Sequence, residues 1–458
     1  MGLSPARDAA LDILLRIEQG GFASELLHSE RLDKLSPQDK GLTTELVMGV
    51  SRWRSRLDET IASVSSQKLT KLDPEVLESL RLAAYQIGFL SRIPAHAAVN
   101  DSVELVKRKK KKSAAPFVNA VLRKLLKQQQ TTVLRPEEGL NGAPTSLSHV
   151  SPKTGDVGQH RAPSSLSSEY AHPFWMVERW AKRYGVGAAE DICAYDQQVP
   201  PTVVRFSAPA AQEELKAAGI ELEPGRLLGS ARIVTNGEIT KMAAFIDGRV
   251  QIQDEGSQLV AMLVGRGERL LDCCAAPGGK TAILAGRNPQ SKVVATELHE
   301  HRAEEMRKRL LRFGNVTVRA GDATKLDGDS EFDRVLVDVP CSGTGTLARN
   351  PEIKWRLTLE DLGDLHARQV AILRGALSKL RAGGKLVYST CSLEPEEDEA
   401  VIEEVGAKVL PVREELETLW KEGALAVENV EPLVDGDFLR LLPGEFGSDG
   451  FFAAVVTK

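Results

Sequence analysis

Leu270-Leu-Asp-Cys-Cys-Ala-Ala-Pro-Gly-Gly-Lys280 reads as a short strand, a tight turn of small residues and the opening of a helix. From about residue 255 onward the same alternation repeats. Apolar runs at Lys292–Thr296, Val316–Arg319, Arg334–Asp338, Lys385–Tyr388 and Phe451–Val456 are interleaved with amphipathic stretches near 280–287, 299–313, 361–381 and 396–405. Continuous apolar strands between amphipathic helices predict a parallel sheet covered on both faces. Such sheets bind ligands beyond the carboxyl ends of their strands. Asp272, Glu297, Asp338, Cys341 and Cys391 all fall at or just after those ends.

The turn Ala275-Ala276-Pro277-Gly278-Gly279-Lys280 lets backbone approach a ligand, and the helix that follows offers free N–H groups to an anion or carboxylate. It is not GxGxxG, which disfavours a dinucleotide. It is not a P-loop either, because Cys274 stands where the leading glycine of GxxxxGK[ST] belongs. Glu297 ends the second strand, a position suited to a ribose diol. Asp322, after the third strand, suits an adenine amino group, and Asp338, ending the fourth, suits the ammonium of an amino-acid-like ligand. Together these strand ends point to S-adenosylmethionine as the cofactor.

Free cysteine is most often a small core hydrophobe, and Cys193 and Cys273 are read that way. Cys341 and Cys391 differ because they lie past strand ends beside the proposed cofactor. A thiolate suits attack on C6 of a pyrimidine, which turns C5 into an enamine carbon able to take a methyl group. A base then removes the C5 proton, and elimination frees the enzyme. Position marks both cysteines without ranking them.

The 458-residue chain has room for two or three domains, and 42% hydrophobic with 27% charged residues is a globular composition. Five cysteines with no CxxC pair argue against a disulfide framework or a metal site, so a reduced, cytoplasmic setting is expected. No apolar run is long enough to span a bilayer, and the first residues lack a signal peptide's apolar region. A net charge of −5 conceals an asymmetry: residues 1–130 hold 21 Lys/Arg against 15 Asp/Glu, leaving −11 for the remainder. A basic first third suggests a polyanionic partner. Residues 1–130 read as a helical domain, with Ser36-Pro37 and Asp73-Pro74 as helix starts. Residues 131–169 read as a flexible linker or insertion, 170–254 as a small α+β subdomain and 255–458 as the Rossmann-like domain. Lys107-Arg-Lys-Lys-Lys-Lys112 is a candidate phosphate contact or a solvated run, and Trp175, Trp180 and Trp355 are candidates for base stacking or core packing.

Phe332-Asp-Arg-Val-Leu-Val-Asp-Val-Pro-Cys-Ser-Gly343, Cys274–Lys280, Asn350-Pro-Glu-Ile-Lys-Trp-Arg356, Ser389-Thr-Cys-Ser-Leu-Glu-Pro395 and Asp449-Gly-Phe-Phe452 resemble the NOL1/NOP2/Sun family of RNA cytosine-C5 methyltransferases. Leu42–Val50, Leu80–Gln86, Ile93–Asn100 and Phe117–Arg123 resemble a NusB-like RNA-binding domain, a pairing that is similar to the bacterial Sun/RsmB type. The resemblance implies a multidomain chain: an all-α NusB-like domain, a small α+β middle domain and an α/β methyltransferase domain. It implies S-adenosylmethionine-dependent methylation of a 16S rRNA cytosine, with Cys391 as nucleophile and Cys341 assisting product release. It places Cys274, Ala275, Ala276, Pro277, Gly278, Gly279, Lys280, Glu297, Asp322 and Asp338 at the cofactor and Lys354 near the catalytic pocket. It implies small-subunit rRNA as partner. No membrane or metal is expected from the sequence itself, and the chain is read as a monomer. Two departures stand out. The family's Asp-Ala-Pro-Cys reads Asp338-Val339-Pro340-Cys341, and its Glu-Asn-Glu reads Glu397-Asp398-Glu399, a change expected to weaken a local hydrogen bond. Competing readings are a tRNA cytosine-C5 methyltransferase, a non-catalytic rRNA-binding assembly factor, and a DNA cytosine-C5 methyltransferase with Cys341 as nucleophile.

Overall fold

The computed structural model describes residues 3–29, 32–129, 161–326, 328 and 331–458. They form two compact units: 1–199 together with 347–356, and 200–346 together with 357–458. Among the described residues no helix is long and apolar enough to cross a membrane.

The first unit is helical, with its longest helices at Pro5–Ile17, Pro37–Val64, Pro74–Phe89, Ala95–Arg108 and Ala115–Gln129. Ser36 opens the second of these as its sequence predicts: its hydroxyl accepts from the Asp39 amide at 3.1 Å, and Pro37 sits in the first turn. Asp73 stands before Pro74 but makes no capping bond; its carboxylate instead holds Lys111 at 2.9 Å. The core is aliphatic, with Leu11, Leu46, Ile61, Leu80, Leu82, Leu105, Leu122 and Leu125 fully buried. Each such burial contributes about 1.5–3 kcal/mol.

The basic run closes this unit rather than projecting from it. Lys107 pairs with Glu104 at 2.7 Å, Arg108 with Asp8 at 3.3 Å, and Lys109 with Asp12. Lys110 and Lys112 are exposed, with no ion pair among the described residues. Of the stretch expected to be a linker, residues 131–160 lie outside the described residues, while Pro163–Glu169 is a helix. Trp180 is buried against His172, which settles its reading as core.

The second unit holds two sheets. The smaller, antiparallel one has the order β2-β3-β1-β4, with β1 Thr202–Phe206, β2 Glu221–Pro224, β3 Ala231–Asn236 and β4 Val250–Ile252. The larger has β5 Arg269–Asp272, β6 Lys292–Glu297, β7 Val316–Ala320, β8 Phe332–Asp338, β9 Leu380–Thr390, β10 Lys408–Leu410, β11 Val434–Asp435, β12 Phe438–Leu441 and β13 Phe451–Thr457. Its order is β11-β12-β13-β9-β8-β5-β6-β7, with β10 also on β13.

Only β9-β8-β5-β6-β7 is parallel; β13 runs antiparallel to β9, so the sheet is mixed where an all-parallel one was expected. The physical reason is that Phe451–Val456 is buried on both faces, and such a run carries the same apolar signature whichever way the strand points. The strand order of the parallel part reverses at β5, with β6 on one side and β8 on the other. This switch point opens a crevice at the carboxyl ends of the strands.

Candidate active site

At the end of β5, Asp272 is buried. Its Oδ2 accepts from the Thr281 hydroxyl at 2.7 Å, while its Oδ1 has no hydrogen-bond partner among the described residues. Burial pushes this carboxyl up to about 7, against the Thr281 bond that favours its ionised form. Gly278 takes φ +99°, a left-handed conformation that glycine adopts without strain, and this aims the turn into the helix Gly279–Arg287. Lys280 reaches back to Asp338, Nζ to Oδ2 at 2.8 Å, and Asp338 also accepts from the Ser389 hydroxyl at 2.8 Å. Burial works to lower the Lys280 ammonium, but Asp338, with smaller contributions from its other neighbours, turns the net shift upward.

Glu297 ends β6 buried, accepting from the His299 amide at 3.1 Å. Asp322 follows β7 at the surface and caps the turn Ala323–Lys325 through the Thr324 amide at 2.9 Å, which holds its carboxyl below the usual range. Three acids thus end β5, β6 and β8, and a fourth follows β7. An orphaned buried carboxylate oxygen at a glycine turn fits the ammonium of an amino-acid-like ligand, and Glu297 in the next strand end fits a diol.

The two cysteines meet. Cys341 follows β8, Cys391 follows its neighbour β9, and their sulfurs are 3.3 Å apart. One buried side chain ties both loops together. Glu397 accepts from the Ser342 amide at 2.8 Å, from the Gln369 amide group at 2.9 Å and from the Ser392 hydroxyl at 2.5 Å. Gly345 gives a second tie: its amide donates to the Cys391 carbonyl at 2.9 Å, and a Cβ there would lie 2.5 Å from the Gly450 carbonyl oxygen. The hydrogen bond with Cys391, reinforced by burial, holds the Cys341 thiol well above its ordinary range.

Behind Cys391, Thr390 donates to Asp398 at 2.6 Å and accepts from the Ser392 amide at 3.2 Å. Asp398 is fully buried and faces Arg440 at 3.3 Å, whose guanidinium also holds Asp435 at 2.7 Å and Glu399. Asp398 therefore gains a cation partner as well as a hydrogen bond, which offsets the loss expected from sequence. Burial still pushes its carboxyl well up, with Arg440 pulling the other way.

Lys354 belongs to the helical unit. Its buried ammonium donates to the carbonyls of Arg52 and Ala171, both at 2.9 Å, and lies 5.4 Å from the Trp355 ring centroid. Burial pushes it down to about 7, with Asp196 pulling it back up. The segment around it is held similarly: Arg52 donates to the Ala348 carbonyl at 2.9 Å, Trp355 to the Ser51 carbonyl at 2.6 Å, and Glu352 accepts from the Ala23 amide at 2.9 Å. The sequence placed Asp272 at a strand end and Glu397 in an acidic run without giving either a contact, and it passed over Gly345, Ser392 and Arg440. Only Glu397 and its neighbours carried a signal, a dense acidic run directly after a cysteine motif.

A family profile described as 16S rRNA methyltransferase RsmB/F matches residues 260–457, one for the NusB family matches 4–127, and one for an RsmF/B-like ferredoxin-like domain matches 172–237. The chain is 33% identical to a probable ribosomal RNA small subunit methyltransferase B of Bacillus subtilis, over the whole of both chains. The chain belongs to the RsmB/F methyltransferase family. Its helical, ferredoxin-like and mixed-sheet methyltransferase parts follow one another in that order. A second relative, the ribosomal RNA small subunit methyltransferase B of Pseudomonas syringae pv. tomato, is 31% identical over 99% of this chain and 96% of its own. Among solved structures, PH0851 superposes with a TM-score of 0.77 over all of both chains at 20% identity. NSun6 from Pyrococcus horikoshii with SFG gives 0.53 over 62% of this chain and 98% of that one at 19% identity. At these identities the two structures establish the fold.

Proposed function

We propose that this RsmB/F methyltransferase methylates C5 of a cytosine in 16S rRNA, using S-adenosylmethionine, Cys391 as nucleophile and Cys341 as the thiol that assists release. The observation that carries the reading is the pair of thiols 3.3 Å apart beyond adjacent strands, beside a crevice edged by Asp272, Glu297 and Asp338. When bound, the cofactor supplies an electrophilic methyl group on a sulfonium.

The chain's residues do the rest. The target base must be extruded to reach a thiol. Cys391 Sγ bonds to C6, and the electron pair displaced toward C5 takes up the methyl group. Loss of the C5 proton to a base restores the double bond and breaks the Cys391–C6 bond. Cys341, whose proton is held tightly, is placed to donate it to the departing Cys391 sulfur. Asp338 fixes the position of the Lys280 ammonium beside the crevice. Asp272, Glu297 and Asp338, with the Cys274–Lys280 turn and Asp322, would hold the cofactor.

Residues 1–130 engage the RNA in this reading, and Lys354 pins the 347–356 segment to the helical unit. Five cysteines with no CxxC pair suit a reducing compartment, which favours the cytoplasm. Bisulfite sequencing of RNA from a strain lacking the protein tests the substrate. Loss of one 5-methylcytosine from small-subunit rRNA supports the proposal. Loss from tRNA instead supports the tRNA reading, and unchanged methylation overturns the catalytic one.

A further inference from the structure

Arg205 on β1 is a half-buried guanidinium with only neutral acceptors around it. Its Nε donates to Gln253 Oε1 at 3.3 Å, and its Nη2 to Gln251 Oε1 and to the Gly279 carbonyl at 3.4 Å. No carboxylate pairs with it among the described residues. Arg312, exposed just past the helix Glu300–Leu310, adds to the charge; it donates to the Gly248 carbonyl and is likewise without an ion pair there. Burial and the nearby Arg312 charge push Arg205 down to about 10.

The surroundings sharpen the imbalance. Gly279 opens the helix Gly279–Arg287, so Arg205 stands at that helix's positive end. The adjoining cation, Lys280, is neutralised by Asp338 at 2.8 Å. Arg249, on the same small sheet's edge, is neutralised by Asp247 and Glu214. Arg312 has only the more distant Asp247, already held by Arg249, as a counter-charge. Arg205 among these has none, and a desolvated charge without one is costly. The arginine fork, with Nη1 taking part in none of these bonds, matches a phosphate oxygen pair.

We propose that Arg205 and Arg312 form a phosphodiester-binding site that clamps the RNA strand beside the target cytosine. This rests on the RNA reading above and adds a contact from the ferredoxin-like part of the chain. Phosphate contacts fix register without reading sequence, so the clamp sets where the strand lies and leaves base choice to the pocket.

The test measures binding of a single-stranded RNA oligonucleotide across a salt series for the full-length protein, Arg205→Gln, Arg312→Gln, the double variant and Arg205→Lys. Each neutralised contact is expected to flatten the slope of log K against log salt by about 0.7, so the double variant flattens it by about 1.4. Arg205→Lys should keep most of the slope, and S-adenosylmethionine affinity should be unchanged throughout. A steep wild-type slope unaltered in the double variant overturns the site, whether or not the melting temperature falls. Weakened cofactor binding with an unaltered slope also overturns it, assigning Arg205 to the cofactor carboxylate. A wild-type protein whose RNA affinity ignores salt overturns the RNA reading beneath it, a separable result.

Discussion

Replacing Glu397 tests whether one carboxylate holds the two cysteine loops together. Glu397→Ala leaves three buried donors facing a void: the Ser342 amide, the Gln369 amide group and the Ser392 hydroxyl. Two have other acceptors in reach, since Gln369 also donates to the Pro340 carbonyl at 3.0 Å and Ser392 lies 3.0 Å from the Ser342 hydroxyl. The Ser342 amide has no such alternative. A hydrogen bond to a charged group is worth about 1.5–3 kcal/mol, and a donor left buried and unpaired forfeits all of it. With smaller losses at the other two and a cavity behind them, the total is about 3–5 kcal/mol. For a domain of this size that is a fall in melting temperature on the order of 10 °C. Glu397→Gln keeps one oxygen for Ser342 and Gln369, so its cost is about 1–1.5 kcal/mol. The assay pairs a thermal melt with the rate of covalent trapping by 5-fluorocytosine RNA. Both readouts should fall in the order wild type, Gln, Ala. A Glu397→Ala protein that melts within 2 °C of wild type, roughly one unpaired kcal/mol, and traps RNA at the same rate would refute the reasoning.

Mild peroxide should inactivate the enzyme by joining Cys341 to Cys391, with activity restored by dithiothreitol; peptide mass mapping that shows both thiols free in the inactive protein would contradict this. Lys354 predicts a pH effect on stability. Its folded value of about 7 lies below the ordinary lysine value of 10.5, so between the two the unfolded chain binds more protons and stability rises with pH. The melting temperature should therefore climb from pH 7 to 9 more steeply in wild type than in Lys354→Met, and equal slopes would remove the lysine from the account. Asp272, pushed up to about 7, must be ionised to receive an ammonium. S-adenosylmethionine affinity measured calorimetrically should rise from pH 6 to 8 and do so less in Asp272→Asn; identical pH profiles would sink that contact.

Sequence pattern revealed the parallel strands well because most of them are apolar runs ending in a chemically marked residue; β7, Val316–Ala320, is the more exposed exception. Lys292–Thr296 and Arg334–Asp338 lie inside β6 and β8, and Asp338 closes its strand as read. The elements it missed have no such signature. Strand β2, Glu221–Pro224, is largely solvent-facing and contains proline, while β11 has two residues. Cys341 and Cys391 were marked by position, but their meeting depends on β8 and β9 being neighbours, a fact of sheet order that hydropathy does not carry. Arg440 answers Asp398 from 42 residues away, so the acidic change looked costlier in the sequence than it is in the fold. Lys107–Lys112 misled in the opposite direction: a run that looks free is largely paired, because Asp8, Asp12 and Asp73 come to it from other helices.

The division of labour between the thiols is tested most directly by mapping the protein–RNA adduct in Cys341→Ala. Digestion and mass spectrometry of the covalent complex formed with substrate RNA and S-adenosylmethionine should find a methylated cytosine bonded to the Cys391 peptide, with none in Cys391→Ala. An adduct that persists in Cys391→Ala, bonded to the Cys341 peptide, would contradict the account and reverse the two roles.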